Sequence, residues 1–148
     1  GQVSIDLPLP ELRAEGLQLE GFSFDWVLAG VPHAVALVED LELDVEGMGR
    51  RVRHHPRFRP EGTNVDFARV LDRRRLAVRT YERGVEAETP ACGTGALASA
   101  YAAWRRALVE PTLEVRTRGG ELLGVELGPR RARLRGEARV VFEGRWMG

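Results

Sequence analysis

The sequence contains no lysine, only one asparagine and only one cysteine in 148 residues. All 22 basic residues are therefore arginine, and 22 acidic residues balance them. This balance gives no reason to expect nucleic acid or an anionic membrane surface as a partner. No apolar run reaches the length of a membrane span, and no basic and then apolar leader precedes the first apolar stretch. We therefore expect a cytoplasmic protein without a membrane segment.

The single cysteine, Cys92, excludes an internal disulfide framework and leaves one thiol for chemistry or for burial. The adjacent residues His54 and His55 cannot share a helix face, so they do not make a convincing metal site. We expect no bound metal. The length fits one domain over residues 1–148, because two typical domains need a longer chain.

Hydrophobic periodicity divides the first half of the chain into strands and one helix. Alternating or apolar stretches predict strands at residues 3–7, 22–28 and 34–38. Residues 30–33 read as a turn, which places His33 at the mouth of the third strand. From Asp40 the apolar spacing becomes helical, and Asp40 is the predicted N-cap.

The second half predicts a hairpin, a helix and three further strands. Asn64 opens the first arm of the hairpin, charged residues 72–74 form its turn, and Glu82 ends its second arm. Asn64 and Glu82 are therefore expected at the same end of the sheet. An alanine-rich helix follows at residues 96–108, and strands are expected at 112–117, 121–127 and 131–142. The predicted fold is α+β, with mostly antiparallel strands around one strongly buried helix.

The stretch around Cys92 carries the strongest chemical signal. Cys92 is followed by a Gly-Thr-Gly turn and then by helix-forming residues, so it lies at a helix start. Free backbone N–H groups and the helix dipole at that place can bind a carboxylate or a phosphate, and they are expected to lower the pKa of the thiol. Just before it, Glu82 and Arg83 offer partners for an ammonium and a carboxylate. Together these groups fit a small zwitterion.

Several motifs in order make the chain resemble the C-terminal half of the diaminopimelate epimerase family. These motifs are GVPHAV at residues 30–35, GTNVDF at 62–67, TYERG at 80–84, ACGTGA at 91–96, RGG at 118–120 and VVFEG at 140–144. Proline racemases and phenazine-type isomerases share the broad fold, but they lack this combination of ERG and ACGTG motifs.

The resemblance implies an enzyme that inverts the α-carbon of an amino acid without a cofactor, converting LL-diaminopimelate into the meso form for lysine and peptidoglycan synthesis. Members of the family use two cysteines on opposite sides of the substrate, one from each of two similar halves, because inversion needs two acid/base groups. This chain then supplies one thiol, and an N-terminal half carries the second cysteine. The expected partners are that half and an amino-acid substrate, and a homodimer stays open.

The resemblance also assigns roles to individual residues. It implies that Cys92 is a catalytic thiol and that His33 and Glu82 lie near the thiols and help to set their protonation. The residues implied to bind substrate are Asn64, Glu82, Arg83, and Gly93 and Thr94 through their backbone N–H groups. Val31 stands where most members carry an asparagine that contacts substrate.

Two other hypotheses remain open from the residues alone. One is a thiol hydrolase or transferase that acts by itself, with His33 activating Cys92. The other is a non-catalytic domain that keeps the fold for binding or assembly. A lone cysteine is often only a small buried hydrophobe, so the two hypotheses need a test of the thiol itself.

Overall fold

One ten-stranded sheet and two α-helices make up most of residues 1–141, the part of the chain that this computed structural model describes. The strands are β1 (Gln2–Pro8), β2 (Glu11–Leu19), β3 (Phe22–Ala29), β4 (Val31–Leu37), β5 (Asn64–Asp72), β6 (Arg75–Glu82), β7 (Ala87–Thr89), β8 (Thr112–Arg116), β9 (Leu122–Leu127) and β10 (Arg131–Glu137). The helices are α1 (Val45–Arg53) and α2 (Gly93–Arg105), and a short 3-10 turn covers Pro56–Phe58. No helix within the described range is long and apolar enough to cross a membrane.

The strand order is β1-β10-β9-β8-β6-β5-β4-β3-β2, and β7 pairs with β6 outside this path. Among the strand pairs within residues 1–141, only β4–β5 and β6–β8 are parallel. Helix α2 packs against β3, β4, β5, β6, β8 and β9. The protein is therefore a strand-rich α+β fold, as predicted, and β1 and β2 stand at opposite ends of the strand order although they are neighbours in sequence.

Small side chains let the sheet approach α2 closely. Ten of its 13 residues are buried, and five of those are alanines. Leu97 on this helix is also buried, while Tyr101 and Trp104 are only partly covered. The helix begins at Gly93 and ends at Arg105 rather than spanning residues 96–108 as predicted.

Helix α1 covers the other face of the sheet near β5 and β6. Its N-cap is Asp44, whose carboxylate accepts from the amide of Gly47 at 2.9 Å, so the prediction of Asp40 as N-cap is wrong. Asp40 instead accepts from the amide of Glu42 in the preceding turn. The two aspartates lie four residues apart, at the same helical phase, and periodicity alone does not separate them.

The sheet differs from the sequence prediction in two strands that were not expected, β2 and β7, and in the bounds of several others. β2 was not predicted, because a register shift beside Gly16 interrupts its alternation. β4 begins at Val31, which puts His33 inside a strand rather than in a turn. β10 ends at Glu137, where residues 138–141 turn helical, and the rest of the predicted strand to Phe142 lies outside the described residues.

An ion pair between a buried carboxylate and a partly exposed arginine joins the end of α2 to the sheet. Asp25 on β3 accepts two hydrogen bonds from the Arg106 guanidinium, at 2.8 and 2.7 Å, and one from the amide of Gly16 at 3.0 Å. The Asp25 side chain is 4% exposed. Burial alone raises the pKa of Asp25, but Arg106 and the Gly16 amide outweigh it and hold the pKa below its ordinary value.

Replacing Arg106 with glutamine is expected to lower the free energy of unfolding at pH 7 by about 1–3 kcal/mol, because it leaves the buried Asp25 carboxylate without its cation. The partial exposure of Arg106 keeps this loss below that of a fully buried pair. A carboxyl with a depressed pKa stabilises the fold above its unfolded pKa and stops doing so as the pH falls through the folded one. The difference between variant and parent should therefore shrink in acid. Urea titrations at several pH values measure this, and Arg133→Gln, which breaks the exposed Arg133–Asp6 pair, is the matched control. Equal losses in the two variants would contradict the prediction.

Candidate functional site

Four of the residues singled out by the sequence meet where β4, β5 and β6 approach the start of α2. His33 on β4 lies opposite Asn64, the first residue of β5, in the parallel pair. The β5–β6 hairpin sets Val65 opposite Tyr81, so Asn64 and Glu82 occupy the same end of the sheet. Cys92 immediately precedes α2. The expected proximity of Asn64 and Glu82 and the position of Cys92 at a helix start are both confirmed.

A chain of polar groups runs from Cys92 into the sheet. The Cys92 Sγ lies 3.6 Å from the Thr94 Oγ1, and the same hydroxyl lies 2.9 Å from the His33 Nε2. The other ring nitrogen, Nδ1, lies 2.6 Å from the Asp66 Oδ2. The Thr80 hydroxyl donates to the remaining Asp66 oxygen at 2.6 Å. Five side chains are thus linked in a buried row that ends at the thiol.

Glu82 is a second carboxyl at the same place. Its side chain is buried, and it accepts a hydrogen bond from the Thr89 hydroxyl at 2.6 Å. Burial raises the pKa of Glu82, the nearby Asp66 charge adds to the effect, and the Thr89 hydrogen bond only partly opposes it. The site therefore holds a carboxyl that takes up a proton more readily than an exposed glutamate.

The environment of Cys92 acts on the thiol in the direction opposite to the sequence-based expectation. Cys92 is 4% exposed. Burial raises the pKa of its thiol well above the ordinary value, and the negative charges of Glu82 and Asp66 raise it further. The Gly95 amide favours the thiolate but does not compensate, and either atom of the Cys92–Thr94 contact could be the donor. The expected lowering of the pKa by the helix start is therefore wrong, and Cys92 is held as a proton-carrying thiol.

Asn64 and Arg83 are joined through the backbone. The Asn64 Oδ1 accepts from the Arg83 amide at 2.8 Å, and its Nδ2 donates to the carbonyl of Pro32 at 3.1 Å. The Arg83 guanidinium turns toward the carbonyl of Glu61, at 3.3 Å, and no ion pair joins it to Glu82 among the described residues. Arg83 and Val31 both line a cavity of about 300 Å³. The structure thus places the Arg83 side chain next to the cluster around Cys92, not inside it.

The backbone N–H groups at the start of α2 come from residues in contact with the thiol. Gly93 and Thr94 are buried, and the amide of Ala96 closes the first helical turn on the Cys92 carbonyl at 3.0 Å. The N–H groups of Gly93 and Thr94, the first two helical residues, lack a partner inside the helix, as in every helix start. Gly93 and Thr94 therefore stand where the sequence predicts donors for an anion.

The segment that leads to Cys92 is fixed from two sides. The Arg79 guanidinium donates two hydrogen bonds of 2.7 Å to the Glu88 carboxylate and also donates to the carbonyl of Leu41. On the other side, the Gly119 amide donates to the carbonyl of Pro90 at 2.8 Å. A Cβ on Gly119 would stand only 3.1 Å from the Pro90 side chain, so glycine permits this close approach. The RGG motif is thereby a support for the cysteine segment.

The sequence reasoning did not single out Asp66, Thr80, Thr89 or Gly95. A Cβ on Gly95 would lie 2.5 Å from the Asp66 Oδ1, so this glycine makes room for the polar row. The sequence does contain a signal for Asp66, which is an acid between Val65 and Phe67 in an apolar strand. Buried acids are nearly always paired, so this pattern predicts a partner for its carboxylate. Within residues 1–141, no group of three His, Cys, Asp or Glu side chains is placed to hold a metal ion.

The fold occurs in solved structures of amino-acid epimerases. A hydroxyproline epimerase from Agrobacterium vitis, solved with bound trans-4-hydroxy-L-proline, matches with a TM-score of 0.64 at 20% identity, over 91% of this chain and 49% of that chain. The chain therefore has the fold of about half of such an enzyme.

The sequence comparisons identify the family. The diaminopimelate epimerase family matches residues 26–138, and the chain belongs to this family. The diaminopimelate epimerase of Methanothrix thermoacetophila is 47% identical over 140 residues, which cover 90% of this chain and 49% of the relative. That of Aquifex aeolicus is 44% identical, over 81% of this chain and 44% of the relative. The chain thus spans about half the length of the curated relatives it matches.

Proposed function

We propose that the chain is the C-terminal half of a cofactor-independent amino-acid epimerase that interconverts LL- and meso-diaminopimelate. Its partner is an N-terminal half that carries the second thiol, and residues 1–148 form one domain. The observation that supports this best is the buried thiol of Cys92 at the start of α2, with the carboxyl of Glu82 and the row from Thr94 to Asp66 around it. A homodimer and a cytoplasmic location stay predictions from the sequence.

The proposed reaction moves one proton away from the α-carbon and returns another to its opposite face. A thiolate of the N-terminal half removes the α-proton, which breaks the C–H bond and leaves its electron pair on the carbon. The Cys92 thiol then donates its proton to the other face and becomes a thiolate. In the reverse direction the two thiols exchange roles. The raised pKa of Cys92 supports this assignment, because the donor must carry a proton before the reaction.

The residues around Cys92 suit the groups of an amino acid. Backbone N–H groups of Gly93 and Thr94 at the helix start hold the α-carboxylate and stabilise the negative charge that spreads onto it from the α-carbon. Glu82 accepts from the ammonium group. Asn64 and Arg83 bind the polar far end, with Val31 in the adjoining wall.

A deuterium experiment tests the proposal. The chain is co-expressed with the N-terminal half of the Methanothrix thermoacetophila relative and is incubated with LL-diaminopimelate in D₂O. We expect one deuterium at the inverted α-carbon, seen as a mass increase and as loss of the α-proton NMR signal, and we expect none with either half alone. A folded two-half complex that binds diaminopimelate but neither inverts nor exchanges it would contradict the proposal and favour a non-catalytic domain.

The thiol hydrolase hypothesis has less support. A base that activates a nucleophilic cysteine has to reach its sulfur directly. Within residues 1–141, His33 makes its contacts with Thr94 and Asp66, and Thr94 stands between the ring and the sulfur. A burst of product from an activated ester, given by this chain alone, would restore that hypothesis.

A further inference from the structure

Asp66 is a fully buried member of the polar row, between His33 and Thr80, and both of its oxygens act as acceptors. One oxygen accepts from the Thr80 hydroxyl, and the other lies 2.6 Å from the His33 Nδ1. Both side chains of the Asp66–His33 pair are 0% exposed, so no water competes for these bonds. A carboxylate that only accepts requires the proton of the imidazole on Nδ1.

The position of that proton determines the direction of the next hydrogen bond. A neutral imidazole with a proton on Nδ1 has a bare Nε2, which can only accept. The Thr94 hydroxyl, 2.9 Å away, must then donate to it. A hydroxyl has a single proton, so Thr94 can offer only a lone pair to the Cys92 sulfur at 3.6 Å.

We propose that Asp66 is a positioning residue that fixes the tautomer of His33 and thereby turns the Thr94 hydroxyl into an acceptor for the Cys92 thiol. In this arrangement the Cys92 S–H donates to Thr94, the Thr94 O–H donates to His33, and the His33 N–H donates to Asp66. It holds Cys92 in its protonated form without contact between Asp66 and the sulfur. This role rests on the proposed function only insofar as Cys92 is the proton donor.

The groups that face Cys92 belong to every element packed around it. Glu82 comes from β6, Asp66 from β5, His33 from β4, and Thr94 and the Gly95 amide from α2. The two carboxylates disfavour the thiolate by charge, and Glu82 is the stronger of the two. A substitution at Asp66 therefore changes both a charge and a tautomer, and the experiment has to separate these effects.

The first measurement concerns the unsubstituted chain and needs no enzymatic activity. Nitrogen-15 NMR of the imidazole distinguishes the two neutral tautomers from the imidazolium, and His33→Asn identifies the signals of this ring among the three histidines. We expect His33 to carry its ring proton on Nδ1 and none on Nε2. A proton on Nε2, or a doubly protonated ring, would overturn the proposal.

The second measurement compares variants of the same chain. Asp66→Leu keeps the branching and the number of heavy atoms but removes both acceptors, and a buried N–H without an acceptor is rarely tolerated. We expect the His33 proton to move to Nε2, which frees the Thr94 proton for the Cys92 thiolate. The rate of alkylation of the only thiol by iodoacetamide, followed against pH, should have its midpoint at lower pH, with alkylation at pH 8 about tenfold faster or more.

Two control variants separate the effect of the His33 tautomer on the thiol from the effect of a lost charge and from general disturbance of the site. Glu82→Gln removes the stronger neighbouring charge but leaves the Asp66–His33 hydrogen bond in place. The midpoint of alkylation should therefore move less than in Asp66→Leu, and the His33 tautomer should stay the same. Thr80→Val removes the other partner of Asp66 and should leave both readouts as they are. A midpoint shift in Asp66→Leu no larger than in Glu82→Gln would overturn the proposal. If Asp66→Leu does not fold, the tautomer of His33 in the unsubstituted chain still tests the proposal. Failure of the deuterium experiment would leave these readouts unaffected.

Discussion

The two-half protein with Cys92→Ala is expected to lose inversion of diaminopimelate by about 10²–10⁴-fold, the range that one positioned acid/base group contributes. Alanine removes the proton that must reach the second face of the α-carbon, and nothing else in the buried row can take the place of the sulfur. The conversion of LL- to meso-diaminopimelate, followed by chiral separation, measures this. The remaining thiol can still exchange a proton on its own face, so slow deuterium incorporation with retention is compatible with the prediction.

Ser99→Ala is the matched control for this substitution. Ser99 lies on α2, the helix that begins directly after Cys92, and is fully buried, and its hydroxyl has no hydrogen-bond partner in the described part of the chain. Its replacement also removes a single γ atom, but it takes away a polar group that gains nothing from burial. We expect full inversion activity and equal or greater stability. Comparable losses in the two variants would mean that α2 tolerates no truncation, and the role of Cys92 would then be unsupported.

Gly95→Ala is expected to damage both stability and activity. An alanine Cβ would lie 2.5 Å from the Asp66 Oδ1, 3.0 Å from the Thr80 Oγ1 and 3.4 Å from the Cys92 Cβ. Alanine normally favours a helix by up to about 1 kcal/mol over glycine, but overpacking here outweighs that gain. We expect a net loss of about 1–3 kcal/mol in the free energy of unfolding. Because the added carbon pushes the polar row away from the sulfur, inversion should also fall, by up to about 10²-fold.

Gly124→Ala controls for a new Cβ as such. At Gly124 on β9 the added carbon would meet only the end of the flexible Arg135 side chain, which can move away. Urea titration and the inversion assay should therefore give values close to those of the parent protein. Gly95→Ala with unchanged stability and unchanged inversion would show that the row around Asp66 adapts easily, against the packing argument.

Local sequence signals are enough to predict the elements that carry the site. The hairpin of β5 and β6 is marked by alternating residues and a charged turn, and the start of α2 by glycines and then alanines. These features depend on neighbours a few residues apart. They are sufficient to assign Asn64, Glu82 and Cys92 to the correct ends of their elements.

The start of β4 is not predictable in this way. Gly30 and Pro32 are turn residues by composition, yet only Gly30, with a φ of 80°, makes the turn. Pairing with β3 extends the strand back to Val31, and pairing with β5 begins at His33. Tertiary pairing thus overrides the local preference of Pro32 and carries His33 into the sheet, where it can reach Asp66.

The protonation of Cys92 is the other property that local reasoning predicts wrongly. A helix start favours a thiolate, and the sequence shows the helix start. It does not show that Glu82 and Asp66, 10 and 26 positions away, stand beside the sulfur in a site closed to water. The sign of a pKa shift depends on burial and on such neighbours more than on the helix dipole.

The alanines of α2 have an entropic consequence. Alanine has no rotamers, so fixing its side chain in a packed interior loses almost no conformational entropy, whereas long side chains lose up to about 2 kcal/mol each. Five of the ten buried residues of α2 are alanines and two more are glycines, which have no side chain to order. The helix that begins after Cys92 and carries Thr94 is therefore immobilised mainly through its backbone, and the order of the site does not depend on freezing many flexible side chains.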